Sequence, residues 1–179
     1  KSARIVRDNA AKELKRVEHV GSAVPESAVA MRENICTAVG INPAELPYVA
    51  ELLDLRPEEA RWRLAVEKVL RPVGLRLLVP DQHYAKVLRF VNETNMRGRL
   101  ALHHVRVTAT GRQAEPNTGS ARSASGSSQT LAGKLFVVDP AHPCAPEAAD
   151  VIAAAGDHIC VDTPDVFARF RRAVTDTGL

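Results

Sequence analysis

The run from Tyr48 to Val107 constrains the fold more than any other part of the chain, because strand-like and helix-like segments alternate in it with no long linker between them. Tyr48 to Leu55 reads as a strand. Arg56-Pro57-Glu58-Glu59 then opens a helix, with proline presetting φ at an early position and two carboxylates against the positive end of the dipole. Trp62, Ala65, Val66, Val69 and Leu70 give that helix an apolar side, and Pro72 with Gly74 ends it. Leu75 to Val79 is apolar apart from Arg76, as a strand covered on both faces should be. Pro80 and Asp81 start the next helix, with Asp81 as its N-cap and Tyr84, Val87, Leu88 and Val91 toward the core. That helix decays between Asn92 and Arg97. After Gly98, residues Leu100 to Val107 alternate in polarity, which predicts a strand near a sheet edge with one covered and one wetter face. Alternation of this kind predicts a mixed α/β (α+β) fold.

The flanks fit the same class. Ala3, Val6, Ala10, Leu14 and Val17 make a narrow apolar stripe on a helix from Lys1 to Val20, suited to a coiled-coil seam or to an ordinary terminal helix. Gly21 breaks it, and Pro25 with Glu26 opens a second helix through Ala38 that Gly40 caps. Between Thr110 and Thr130 the sequence turns to Gly, Ser, Thr and Ala without large apolar residues, so residues 111–130 are expected to be a flexible insertion. That insertion divides a first lobe, 21–110, from a second, 131–179. The second lobe reads as a strand at Lys134 to Val138, a helix from Pro146 to Ala155 stopped by Gly156, a strand at His158 to Val161 and a helix from Pro164 to Ala173. LRLLVPDQHYAKVLRFV and HICVDTPDVFARFRRAV echo one another as strand, Pro-Asp, helix, by duplication or by chance.

A chain of 179 residues buries roughly 70% of its unfolded surface without help from disulfides or metals. Cys36, Cys144 and Cys160 are odd in number, far apart and set among apolar residues, which predicts buried free thiols and a reducing, cytoplasmic setting. No apolar run approaches the ~20 residues that cross a bilayer, so no membrane partner is expected. The net charge of +3 hides a strong asymmetry: from Arg61 to Arg112 there are eleven basic residues and three acidic ones, between mildly acidic flanks. Such a face attracts phosphate backbones, or is a set of solvated helix faces.

The chemistry of an enzyme is hard to find. Around Gly133-Lys134 the residue five before the glycine is Ser128 and the residue after the lysine is Leu135, so there is no P-loop. No GxGxxG follows a strand. His103 and His104 project from opposite faces of one strand and cannot chelate one ion together, and neither a metal nor a cofactor is expected. Asp81, His83 and Asp162, at strand ends, are the residues a hydrolase or nuclease would use if they converged.

The segment ICTAVGINPAELPYVAELLDLRPEEARWRLAVEKVLRPVGLRLLVPDQHYAKVLRFVNETNMRGRLALHHV, followed after the insertion by LAGKLFVVDPAHPCAPEAADVIAAAGDHICVD, resembles the middle of the SMC-like ATPase subunit of bacterial Wadjet (Mks-type, MukBEF-related) complexes. PEEARWRLAVEKVL, LLVPDQHY, MRGRL and LAGKL are the pieces that carry the likeness. The resemblance implies an SMC-hinge-like domain of two small mixed α/β lobes, with 1–20 as the end of a coiled-coil arm. It implies a homodimerising, non-enzymatic module of a plasmid- or chromosome-handling complex, nucleoid-associated, whose ATPase heads lie elsewhere in the polypeptide and whose kleisin and accessory subunits bind elsewhere. Subunit contact then falls to the MRGRL strand start (Gly98, Leu100, Leu102) and the LAGKL strand start (Leu131, Gly133, Leu135), because glycine admits close backbone approach. DNA contact falls to Arg61, Arg63, Arg97, Arg99 and Arg106.

Overall fold

The computed structural model describes residues 24–96, 98–106 and 129–179. The expected arm helix 1–20, Arg97, and all of the insertion but its last two residues lie outside them. The described residues form a mixed α/β fold of four α-helices and six short strands, joined by 3-10 turns. The helices are α1 (Glu26–Val39), α2 (Arg63–Gly74), α3 (Asp81–Glu93) and α4 (Ala145–Ala155). The strands are β1 (Leu53–Leu55), β2 (Arg76–Pro80), β3 (Ala101–Val105), β4 (Leu135–Val137), β5 (Ile159–Cys160) and β6 (Ala173–Val174).

β2 is the spine. Leu77, Leu78 and Val79 are each 0% exposed, as its apolar run requires of a strand covered on both faces. β3 runs parallel to it, from Arg76 opposite Ala101 to Pro80 opposite Val105, with α3 as the crossover. On the other side of β2, Tyr48 makes an isolated antiparallel bridge to Leu77. α1 and α3 cover one face, where Ile35, Cys36, Leu46, Tyr48 and Val87 meet Leu77 and Val79. α2 and α4 cover the other, where Trp62, Ala65, Leu70, Ala148 and Ile152 meet Leu78 and Val105.

The insertion divides the chain but not this core. β1 pairs antiparallel with β4, Leu53 opposite Val137 and Leu55 opposite Leu135. Leu131, Cys144, Val151 and Val174 share one apolar cluster with Val49, Leu52, Leu55 and Trp62. One apolar cluster therefore crosses the 111–130 boundary, while the other lies wholly before it. Gln129 and Thr130, expected in the flexible stretch, belong to the fold: the Gln129 carbonyl accepts from the Cys160 N–H at 2.8 Å, and Thr130 bridges Ile159.

Several local expectations are corrected. Tyr48 to Leu55 is a 3-10 turn, Val49–Glu51, followed by the three residues of β1. The turn wins because the Glu51 carboxylate accepts the Tyr48 N–H at 2.8 Å and pairs with the buried Arg32 of α1. Arg56 to Trp62 begins as 3-10 before α2 proper. Pro72 sits inside α2 rather than ending it; burial of Leu70 and of Gly74, packed against Ala50, offsets the hydrogen bond that proline gives up. Leu88 is 37% exposed, so it is not on the core side of α3. β3 shows no clean alternation, because α3 leans on one face and α4 on the other. Pro164 to Arg169 is a 3-10 turn and the chain then forms β6 beside β5, so the echo between the two Pro-Asp segments stops at the first turn.

Candidate nucleic-acid and subunit interface

β3 and its two flanks bring Gly98, Arg99, Leu100, Leu102 and Arg106 together. Among the described residues it pairs only with β2, so its outer edge presents unpaired backbone N–H and C=O groups. Arg99 precedes the strand and Arg106 follows it, both exposed and neither in an ion pair with any described residue. An extended chain of that length separates their backbones by roughly 20 Å, about six phosphate steps along one strand of a duplex. Leu100 and Leu102 are half-buried against α1 and α3. Gly98 has φ of +146°, and a Cβ there would stand 2.8 Å from the Met31 Cε, so this glycine lets the lead-in to β3 lie against α1. Its close approach is to the chain's own helix.

The second group of subunit candidates is mostly turned inward. Leu131 is 0% exposed, its N–H bonded to the His158 carbonyl at 2.9 Å, so it is core and not surface. Gly133 is half-buried between the Thr130 hydroxyl and the Arg56 guanidinium, and Leu135 packs on the core opposite Leu55. What this edge exposes instead is Phe136 and Val138, on the other face of β4. Lys134 itself is buried, its ammonium 3.0 Å from Glu59 and 4.9 Å from the centre of the Trp62 ring.

Arg61 and Arg63 are exposed at the start of α2. Arg61 lies over the Trp62 ring, 5.0 Å from its centre, and its guanidinium donates to Asp162 at 3.0 Å. That pair is solvent-exposed and weak, so a phosphate can compete with Asp162 for Arg61.

The structure gives Asp81, His83 and Asp162 three different partners. Asp81 accepts from His104 at 2.7 Å, His83 meets Glu45 at 2.8 Å, and Asp162 is held by Arg61. Asp81 is therefore no N-cap: it is the first residue of α3, Pro80 occupies the cap position, and the carboxylate is drawn to His104, whose ring stacks on Tyr84 at 3.8 Å. His103 points the other way, to Glu147 of α4 at 2.6 Å. Sequence reasoning did not find these histidine–carboxylate pairs, since each joins residues far apart in the chain. Among the described residues no group of three or more His, Cys, Asp or Glu side chains is arranged to hold a metal ion, and no helix is long and apolar enough to cross a membrane.

The cysteines are free thiols, as expected, with Cys36 and Cys144 buried and Cys160 half-buried. Burial pushes Cys144 up to about 11, helped by the Glu147 charge. Burial likewise raises Cys160 to about 11, against the opposing pull of Lys134. Neither is an activated nucleophile.

Comparisons with family models, with curated proteins and with solved structures return no match.

Proposed function

We propose that this chain is the dimerising hinge of an SMC-like ATPase subunit of the Wadjet or Mks type, and that it contacts DNA weakly and without sequence preference through a basic face. The observation that carries the reading is the outer edge of β3, which no described strand covers, led in by Leu100 and flanked by Arg99 and Arg106, exposed and in no ion pair with any described residue. The likeness of MRGRL, LLVPDQHY and PEEARWRLAVEKVL to that family supports it. A second copy meeting this edge across a two-fold axis completes the ladder and brings two sets of arginines together. Leu131 drops out of the contact, leaving Gly98, Leu100 and Leu102 with the half-buried Gly133 and Leu135 as its candidates. In this reading the fragment needs no cofactor and performs no catalysis of its own.

Light scattering on the chain at micromolar concentration is expected to give a dimer mass, and a strictly monomeric species overturns the proposal. Duplex DNA titrated at two salt concentrations should bind more weakly as salt rises. Changing Arg61, Arg63, Arg99 and Arg106 together to Glu should abolish binding, with a log–log salt slope near −4 in the parent, about −0.9 per phosphate contact. Unchanged affinity in that variant removes the DNA-binding part.

A further inference from the structure

Past β5 the chain makes a 3-10 turn, Pro164–Arg169, beside an open groove. Val161, Asp162, Thr163, Val166, Arg169 and Phe170 line an open groove of about 330 Å³. Its composition is unusual for a surface. Phe170 is 40% exposed in extended backbone just after the turn, anchored by its N–H to the Phe167 carbonyl at 3.0 Å. Arg169 and Arg171 flank it, exposed and in no ion pair with any described residue, while Arg172 is committed to Asp157 at 2.7 Å. The one carboxylate in the lining, Asp162, is neutralised by Arg61 at 3.0 Å. The Thr163 hydroxyl makes no capping bond to the turn that follows it.

We propose that this groove binds an unpaired nucleotide of a single strand, with the base stacked on Phe170 and the adjoining phosphate held by Arg169 and, once it leaves Asp162, Arg61. A base in a duplex has both faces covered by its neighbours, so an exposed ring gains nothing from it; an unpaired base offers a free face to any aromatic, whatever the sequence. Val161 and Val166 supply an apolar wall for the base edge, and Thr163 a hydroxyl that can donate to it. The groove is too open and too short of enclosing apolar surface to hold a small drug-like molecule. A chain threading past it, with one nucleotide seated, is what its shape admits. The site goes beyond the duplex contacts proposed above and, Arg61 apart, uses different side chains.

The test measures fluorescence anisotropy of the intact chain with a labelled oligothymidine, the same strand bearing abasic sugars, and a blunt duplex of equal length. Oligothymidine is expected to bind, and the abasic strand to bind at least about fivefold more weakly. Phe170→Ala should weaken oligothymidine about tenfold while leaving the duplex within twofold, and Phe170→Trp should retain it. Arg99→Glu with Arg106→Glu should do the reverse, so failure of the duplex reading and failure of this one are told apart. Absence of oligothymidine binding overturns the proposal. So does equal affinity for the abasic strand, or a Phe170→Ala loss below threefold or equal on both DNAs. If Phe170→Ala unfolds, as a thermal melt would show, the abasic strand and Phe170→Trp decide the matter.

Discussion

Cys144 shows how much a single residue in this chain is defined by what surrounds it. It is 1% exposed, and burial raises it from 9.0 to about 11. Below the ordinary thiol value both states keep the proton and stability stands at its full value. That advantage is lost as the pH rises toward about 11, where the unfolded chain ionises first. Urea midpoints taken at pH 8.5 and 10.5 should therefore fall further in the parent than in Cys144→Ala. The difference is expected to be about 1–2 kcal/mol, within the ceiling that two pKa units set. Equal pH dependence in both proteins would show that the thiol is not what titrates. The buried thiols of Cys36 and Cys144 were legible in the sequence because NICTAV and HPCAP surround them with apolar neighbours, while Cys160 in HICVD is only half-buried. Asp81 was not read correctly, since a helix-start aspartate looks like a cap until His104 is brought against it by the parallel pairing of β3 with β2. Leu131 misled for a related reason: LAGKL resembles an exposed strand start, and only the shared cluster turns it inward.

Elements followed their local chemistry where a long apolar pattern spoke for them, and departed from it where a polar partner lay elsewhere. β2, α3 and α4 fall within a residue or so of the expected spans, since their apolar runs and prolines leave few other arrangements. β1 and the last turn do not, because the first is shortened by the Glu51–Arg32 pair and the second gives way to β6. The junction of α4 with the turn Ala132–Lys134 allows a direct check. A Cβ at Gly156 would meet the Ala132 Cβ at 2.9 Å, its N at 3.0 Å and the Ile152 carbonyl at 3.1 Å. Two of those atoms are backbone and cannot rotate away. Gly156→Ala should thus destabilise the fold by about 1–3 kcal/mol through overpacking, read as a lower denaturation midpoint. A neutral result would mean that α4 can slide away from the turn. The edge of β3 was legible only as a strand near a sheet boundary; that Arg99 and Arg106 flank it could be read directly, but not that Gly98 is spent on Met31.

Across the whole molecule the shared cluster makes a stronger claim than either half alone. Trp62, Leu55 and Val49 come from before the insertion and Leu131, Cys144 and Val174 from after it, in one buried set. Separate pieces carrying residues 24–106 and 129–179 should each lack fixed tertiary structure, and should regain it on mixing; dispersed amide NMR signals are the readout. Intact chain should unfold in a single cooperative step. A folded 24–106 fragment by itself would instead support the two-lobed organisation that the composition of 111–130 suggests. Linker composition reports where a chain is loosely tethered, and cannot report which apolar faces will meet on either side of the tether.

The pairing of β1 with β4 also sets a timetable. On a ribosome, Leu53 is made well before Val137, and its ladder partner does not exist until the intervening residues, insertion included, have been made. Until then Leu55 and Trp62 lack the part of their cover that Leu131, Cys144 and Val174 supply. Closing that ladder is therefore a late, high-contact-order step in folding.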